Sequence, residues 1–224
     1  MNNFEKNGYY VLEQAINKDL AIFIYNYFLI KRQVHITFRE NNYISPFNED
    51  WGTFKDKQVP ETYSHYGDIV METLLIKLKD AMEKATNKSL IETYSYARIY
   101  KKGDILERHK DRPSCQISTT LNLGGDEWPI FVEPDKDKGK IINNRYVSDN
   151  TSGTKIILKP GDMLIYKGCD LEHWRKPFDG EDCAQVFLHY NDKNGEFGEK
   201  NLYDGRPHIG LPSYFKNHLK KNEK

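Results

Sequence analysis

The chain has only three cysteines, Cys115, Cys169 and Cys183, and no CxxC or CxxxC spacing, which excludes a disulfide framework and a structural zinc knuckle. Charge of one sign is also lacking. Lys plus Arg and Asp plus Glu number 33 each, so no overall field draws in nucleic acid or an anionic membrane surface. No apolar run nears the roughly 18 residues that span a bilayer. The opening Met1-Asn2-Asn3-Phe4-Glu5-Lys6 has no signal-peptide core. The expectation is a cytoplasmic protein with neither a nucleic-acid nor a membrane partner. Internal repeats and low-complexity tracts are missing too.

What is present suits a globular protein. Hydrophobic residues at 38% and aromatics at 13% are enough for a substantial, aromatic-rich core, and 224 residues fit one domain. The expected order is an N-terminal strand with supporting helices over 1–92, a β core over 93–192 and a C-terminal extension over 193–224. Tyr9 to Leu12 reads as a strand. A helix follows from about Lys18 to Lys31, with Asn17 as its N-cap and Leu20, Phe23, Ile24, Tyr27, Phe28 and Ile30 on a broad buried face. Residues 40–66, rich in Asn, Pro, Tyr and Gly, read as irregular. Met71, Leu74, Leu75, Leu78 and Met82 mark a second helix that starts after Gly67 and Asp68 and ends near Asn87.

From Leu90 onward short β-like runs alternate with turn residues: Thr93–Tyr100, Cys115–Leu123, Ile130–Glu133, Lys155–Leu158, Met163–Lys167, Leu171–Arg175 and Ala184–Tyr190. Helices first and a sheet after suggest a sandwich or jelly roll. The charged stretch Pro134–Lys140 and the polar stretch Tyr146–Gly153 read as solvated loops, or as a lid over a substrate groove. Lys216 to Lys224 is basic and expected to fray.

Among the seven histidines, only His109 is followed two residues later by a carboxylate, Asp111. At the end of a strand, residues i and i+2 project to one face, so an imidazole nitrogen and a carboxylate oxygen can reach one cation. His173, on a later predicted strand beyond the Pro160-Gly161 turn, is the best third ligand. Two His and one carboxylate on one face of an octahedron form the ligand set of non-heme iron(II) oxygenases, which leaves three positions open. Zinc accepts the same ligand types, so the triplet alone leaves the metal undecided.

The run Arg98-Ile-Tyr100-Lys-Lys-Gly103-Asp-Ile-Leu106-Glu-Arg-His109-Lys-Asp111 resembles the iron-binding segment of prolyl 4-hydroxylase-like, iron(II)- and 2-oxoglutarate-dependent oxygenases. Thr119-Thr120-Leu121-Asn122-Leu123 resembles the strand after that motif. Lys159-Pro160-Gly161-Asp162 followed by His173 resembles the approach to the distal histidine. The resemblance covers roughly Tyr94 to Asp192. It implies a mainly β, double-stranded β-helix (jelly roll, cupin-like) core with N-terminal helices, and iron(II) on His109, Asp111 and His173. The cosubstrates would be 2-oxoglutarate and O2, with ascorbate as an accessory reductant. The implied reaction is hydroxylation of an organic substrate with release of succinate and CO2. The substrate would be a peptidyl prolyl residue first, a free amino acid or other small molecule otherwise; oligomeric state is left open.

In the resembling enzymes a Lys or Arg nine or ten residues beyond the distal histidine anchors the far carboxylate of 2-oxoglutarate; here Asp182 and Cys183 stand there. Arg175, two residues past His173, is the replacement, its guanidinium fork suiting a carboxylate. The ordinary alternative is an ion pair with Asp179 or Glu172. Tyr100 and Thr120 would add hydroxyl contacts to the cosubstrate, or serve as core residues with satisfied hydroxyls. Gln185, Phe187 and His189 share a face of the last strand and would line the pocket, Gln185 reaching the cosubstrate and His189 not serving as a fourth ligand. Arg98 and Trp174 are candidates to touch substrate, and Cys183 reads as a small core residue. Two rival readings are a zinc-dependent hydrolase on a cupin-like barrel and a non-catalytic metal- or ligand-binding module of the same fold.

Overall fold

The computed structural model describes residues 3–143 and 145–216, so the basic C-terminal stretch lies, from residue 217, outside the described residues. A one-turn helix α1 (Asn3–Asn7) and strand β1 (Tyr9–Leu12) lead into helix α2 (Lys18–Glu40). Asn17 caps α2, its Oδ1 accepting the Leu20 N–H at 2.8 Å. The helix runs on past Lys31 to Glu40. Its buried seam, Ala21, Ile24, Phe28 and His35, is narrower than the pattern suggests. Phe23 and Ile30, expected inside, are 70% and 66% exposed because they lie roughly 130–150° round the helix from that seam.

Helix α3 follows the short strand β2 (Tyr63–Tyr66), an ordered piece within the segment expected to be irregular. Asp68 opens α3 (Ile69–Thr86), accepting from the Val70 and Met71 N–H groups at 2.9 and 3.1 Å. Asn87, in the left-handed region at φ 55°, closes it.

The remaining strands are β3 (Leu90–Lys101), β4 (Leu106–His109), β5 (Ile117–Gly125), β6 (Ile130–Val132), β7 (Lys140–Ile142), β8 (Arg145–Val147), β9 (Thr154–Ile156), β10 (Met163–Tyr166), β11 (His173–Arg175) and β12 (Asp182–Asp192). They form a six-stranded antiparallel sheet in the order β1-β10-β5-β12-β3-β2 and a four-stranded one in the order β4-β11-β6-β9. The two polar stretches expected as loops contribute a separate hairpin, β7 with β8.

Period-two alternation sorts the larger sheet's side chains. Ala97, Ile99, Leu121, Met163, Ile165, Ala184, Val186 and Leu188 pack outward under the helices with Phe28, Met71, Leu75 and Met82. Tyr100, Cys183 and Phe187 point the other way, against Leu106, Trp128 and Phe178. Leu164 and Tyr166 join Ile130, Val132 and Ile156 of the smaller sheet. Two antiparallel sheets around a shared interior, with helices on the outer face of the larger, make the mainly β, double-stranded β-helix architecture expected. Among the described residues no helix is long and apolar enough to cross a membrane.

Candidate active site

Antiparallel pairing of β4 with β11 sets His109 directly across from His173, with ring centroids 4.2 Å apart. Asp111 follows β4, its backbone N–H donating to the Gly168 carbonyl at 2.8 Å. A side chain at position 168 would not fit there: a Cβ would stand 2.4 Å from Asp111 Oδ2 and 2.3 Å from the Cys115 carbonyl. One donor atom from each of His109, Asp111 and His173 lies within 4.8 Å of the others. Asp111 Oδ1 is 3.7 Å from His109 Nε2 and 3.6 Å from His173 Nε2. These separations exceed a hydrogen bond and leave a gap among three converging donors.

Hydrogen bonds at the far side of each ring fix the tautomers. His109 Nδ1 meets the Glu107 carbonyl at 2.7 Å and His173 Nδ1 meets the Leu171 carbonyl at 3.0 Å. A carbonyl only accepts, so Nδ1 carries the proton in both rings and Nε2 presents its lone pair to the gap. Burial and the neighbouring His173 bring the His109 pKa down to about 4, keeping the ring neutral at pH 7. Burial pushes the Asp111 carboxyl up, but His173 and His109 outweigh it and hold the group below the ordinary carboxylate value. A neutral imidazole at His109 and an ionised Asp111 are protonation states that metal ligation needs.

The gap opens into a cavity of about 560 Å³ whose lining includes Tyr94, Tyr96, Arg98, Phe187 and His189. Arg98 is buried; its Nε donates to Asp56 Oδ2 at 2.6 Å and its Nη2 to Gln58 Oε1 at 2.6 Å. Ser118 Oγ donates to Asp111 Oδ2 at 2.7 Å and lies 3.0 Å from His189 Nδ1. Trp174, considered as a substrate contact, instead stacks on Phe131, with the Arg108 guanidinium 3.5 Å from its ring centroid.

Arg175, Tyr100, Thr120 and Gln185 gather deeper between the sheets and are not among the cavity's lining residues. Arg175 is 1% exposed, and burial lowers its pKa from the usual arginine value. It donates to the Trp128 carbonyl and, at 3.4 Å, to Thr120 Oγ1, while its Nε meets no acceptor. Neither acidic neighbour considered from sequence pairs with it: Glu172 pairs with Arg108 at 3.0 Å. Thr120 Oγ1 donates to Gln185 Oε1 at 3.0 Å, and Tyr100 receives Arg98 Nη1 at 3.2 Å. Cys183 is fully buried beside Arg175, and Asp182 pairs with Arg32 at 2.8 Å.

Sequence reasoning passed over Gln58, Asp56, Ser118 and Gly168. Only Ser118 carried a signal, since it alternates with Thr120 on β5 and so shares its face.

No protein-family profile matches the chain, and no curated protein sequence does. Solved structures do. A prolyl-4-hydroxylase from Pseudomonas putida is 13% identical over 85% of this chain and 95% of its own, with a TM-score of 0.50. HygX from Streptomyces hygroscopicus, with nickel, 2-oxoglutarate and hygromycin B bound, is 15% identical over 85% of each chain, with a TM-score of 0.57. The viral collagen prolyl hydroxylase vCPH from Paramecium Bursaria Chlorella virus-1, in its 2-oxoglutarate complex, is 10% identical over 84% of this chain and 98% of its own, with a TM-score of 0.53. At such identities the likeness is one of fold, and the fold this chain shares with these oxygenases is the double-stranded β-helix.

Proposed function

We propose that the chain is an iron(II)- and 2-oxoglutarate-dependent oxygenase that hydroxylates an organic substrate. The observation that carries this reading is the convergence of His109 Nε2, Asp111 Oδ1 and His173 Nε2 on one gap, with both tautomers set for ligation. Three protein ligands on one side, with the remaining positions facing a cavity, suit non-heme iron(II). Bound iron, with 2-oxoglutarate and O2, supplies the oxidising power for hydroxylation and leaves succinate and CO2 as by-products.

The chain's own residues hold, orient and shield. The Glu107 and Leu171 carbonyls keep the two imidazoles aimed at the gap. Arg175 is the candidate anchor for the far carboxylate of 2-oxoglutarate, because a buried guanidinium without an acidic partner is costly until an anion reaches it. It would replace, from the smaller sheet, the cation that the resemblance leads one to expect at Asp182 or Cys183 on the larger. Thr120, Gln185 and Tyr100 surround the same region as hydroxyl and amide partners. Tyr94, Tyr96 and Phe187 give the cavity an aromatic lining that suits a ring. A prolyl residue is therefore the leading substrate, in keeping with the two hydroxylases above, and a small molecule the second, in keeping with HygX. The ordered pieces are read as one oxygenase domain.

The test is succinate formation. Protein loaded anaerobically with iron(II) and 2-oxoglutarate is expected to form succinate on exposure to O2, and Asp111→Ala to form none. Arg175→Gln is expected to weaken 2-oxoglutarate binding about tenfold or more while iron affinity holds, as loss of a charged hydrogen-bond partner does. Loaded wild-type protein that yields no succinate with a panel of prolyl peptides, amino acids and small molecules would sink the oxygenase reading. Unchanged 2-oxoglutarate affinity in Arg175→Gln would sink the anchor alone.

A further inference from the structure

The metal-facing nitrogen of His109 already has a partner: Gln58 Nε2 lies 2.9 Å from His109 Nε2. The orientation of that carboxamide is not free. Arg98 offers only donors, so the atom it meets at 2.6 Å is Gln58 Oε1, which leaves the amide N–H group for the imidazole. On the histidine side, Nδ1 gives its proton to the Glu107 carbonyl, so Nε2 is an acceptor. Donor and acceptor therefore match. The backbone of this segment is pinned on both sides of Gln58. Asp56 pairs with Arg98 and accepts from Tyr96 Oη at 2.9 Å, its Oδ1 takes the Gln58 N–H at 2.8 Å, and Val59 is buried against the core between the sheets.

An imidazole nitrogen has one lone pair in the ring plane, so the Gln58 hydrogen bond and a metal bond at His109 Nε2 exclude each other. We propose that Gln58 guards the metal centre: it occupies His109 Nε2, whose ring is already held by the Glu107 carbonyl, and must release that nitrogen for metal to bind. The inference rests on the metal centre proposed above and adds to it an intramolecular competitor. After release the carboxamide stays beside the site, because its oxygen remains tied to Arg98.

The competition has a sign that a merely structural contact would not give. Removing a scaffold contact loosens metal binding, whereas removing a competitor tightens it. Calorimetric titration of cobalt(II) into the metal-free protein is expected to show about three- to tenfold tighter binding in Gln58→Met than in wild type, the range of one net hydrogen bond. Equal or weaker binding in Gln58→Met overturns the guard. Gln58 is exposed, so the substitution leaves the core intact. A second measurement follows the side-chain amide of Gln58 by NMR, identified by its absence in Gln58→Met. It is expected to shift when zinc(II) is added to wild type and to stay put in His109→Ala; no shift in wild type overturns the proposal. The two levels of failure separate cleanly. Cobalt binding that is absent in wild type, or intact in His109→Ala, removes the metal centre itself. His109-dependent binding without tightening in Gln58→Met removes only the guard.

Discussion

The carboxylate of Asp111 is used at both oxygens: Oδ1 faces the two histidines, while Oδ2 accepts from Ser118 at 2.7 Å. A hydroxyl has one proton. With that proton on Asp111, His189 Nδ1 must donate to the Ser118 oxygen, so a chain of two hydrogen bonds runs from β12 to the candidate ligand. Ser118→Ala is expected to weaken cobalt(II) binding about tenfold, opposite in sign to Gln58→Met. Calorimetry on the two variants side by side checks both. The contrast also marks what could be read from the sequence at this scale. His109 and Asp111 were legible because their i, i+2 spacing is a local property of a strand, and His173 because it lies on a strand expected beyond the Pro160-Gly161 turn. Gln58 carried no local signal, since its place depends on an ion pair between Asp56 and Arg98, far apart in the chain. Arg175 could be set near His173 but not freed of Glu172 and Asp179 without knowing that Arg108 takes Glu172.

Helix α3 depends on a single side chain at its start. Asp68 caps the helix, receives the Tyr27 hydroxyl of α2 at 2.7 Å and pairs with Lys31, so it joins the two long helices. Burial opposes its charge, but His65 and Lys31 prevail and hold its pKa well below the usual carboxylate range. Because the folded value lies below the unfolded one, the stabilisation is complete above about pH 4 and is lost as pH falls further, toward the folded value. Asp68→Asn is expected to cost about 2–3 kcal/mol at pH 7, from the weakened cap and the buried lysine left without its partner. It should also flatten the decline in stability between about pH 4 and pH 2; urea denaturation across pH checks both. The start of α3 was legible from Gly67-Asp68, and the cap of α2 from Asn17. The length of α2 was not, because in its continuation Val34, Ile36 and Phe38 alternate with Gln33, His35 and Thr37 at the period of a strand. The β7 and β8 hairpin was hidden for a related reason. Its strands are three residues each, and Ile141 and Val147 are 75% and 47% exposed, so no core pattern marks them.

At the scale of the whole molecule, the described part of the segment after β12 folds back onto α3 and β3. Arg206, fully buried, meets Glu72 of α3 at 2.8 Å and the Thr93 carbonyl of β3 at 3.1 Å. Glu72 in turn accepts from the Ser95 N–H at 3.2 Å and from the Gly210 N–H. Arg206→Met is expected to destabilise the protein by about 3–5 kcal/mol, since it strands a buried carboxylate, and Glu72→Leu in the same chain to restore part of that loss. Thermal unfolding of the single and double variants tests the coupling. The order of helices, sheet and distal histidine was legible because each element has its own periodicity. The return of the C-terminal segment was not, because a buried ion pair between residues 72 and 206 leaves no local trace. The same layout spreads the chain's three tryptophans usefully. Trp128 lends its carbonyl to Arg175, Trp174 follows His173 directly, and Trp51 packs on Phe38 of α2. Intrinsic fluorescence therefore resolves the two ends of the site without any label: variants that keep Trp51 with Trp128 alone, or with Trp174 alone, turn occupancy of the anion end and of the metal end into separate optical signals over a Trp51 background common to both.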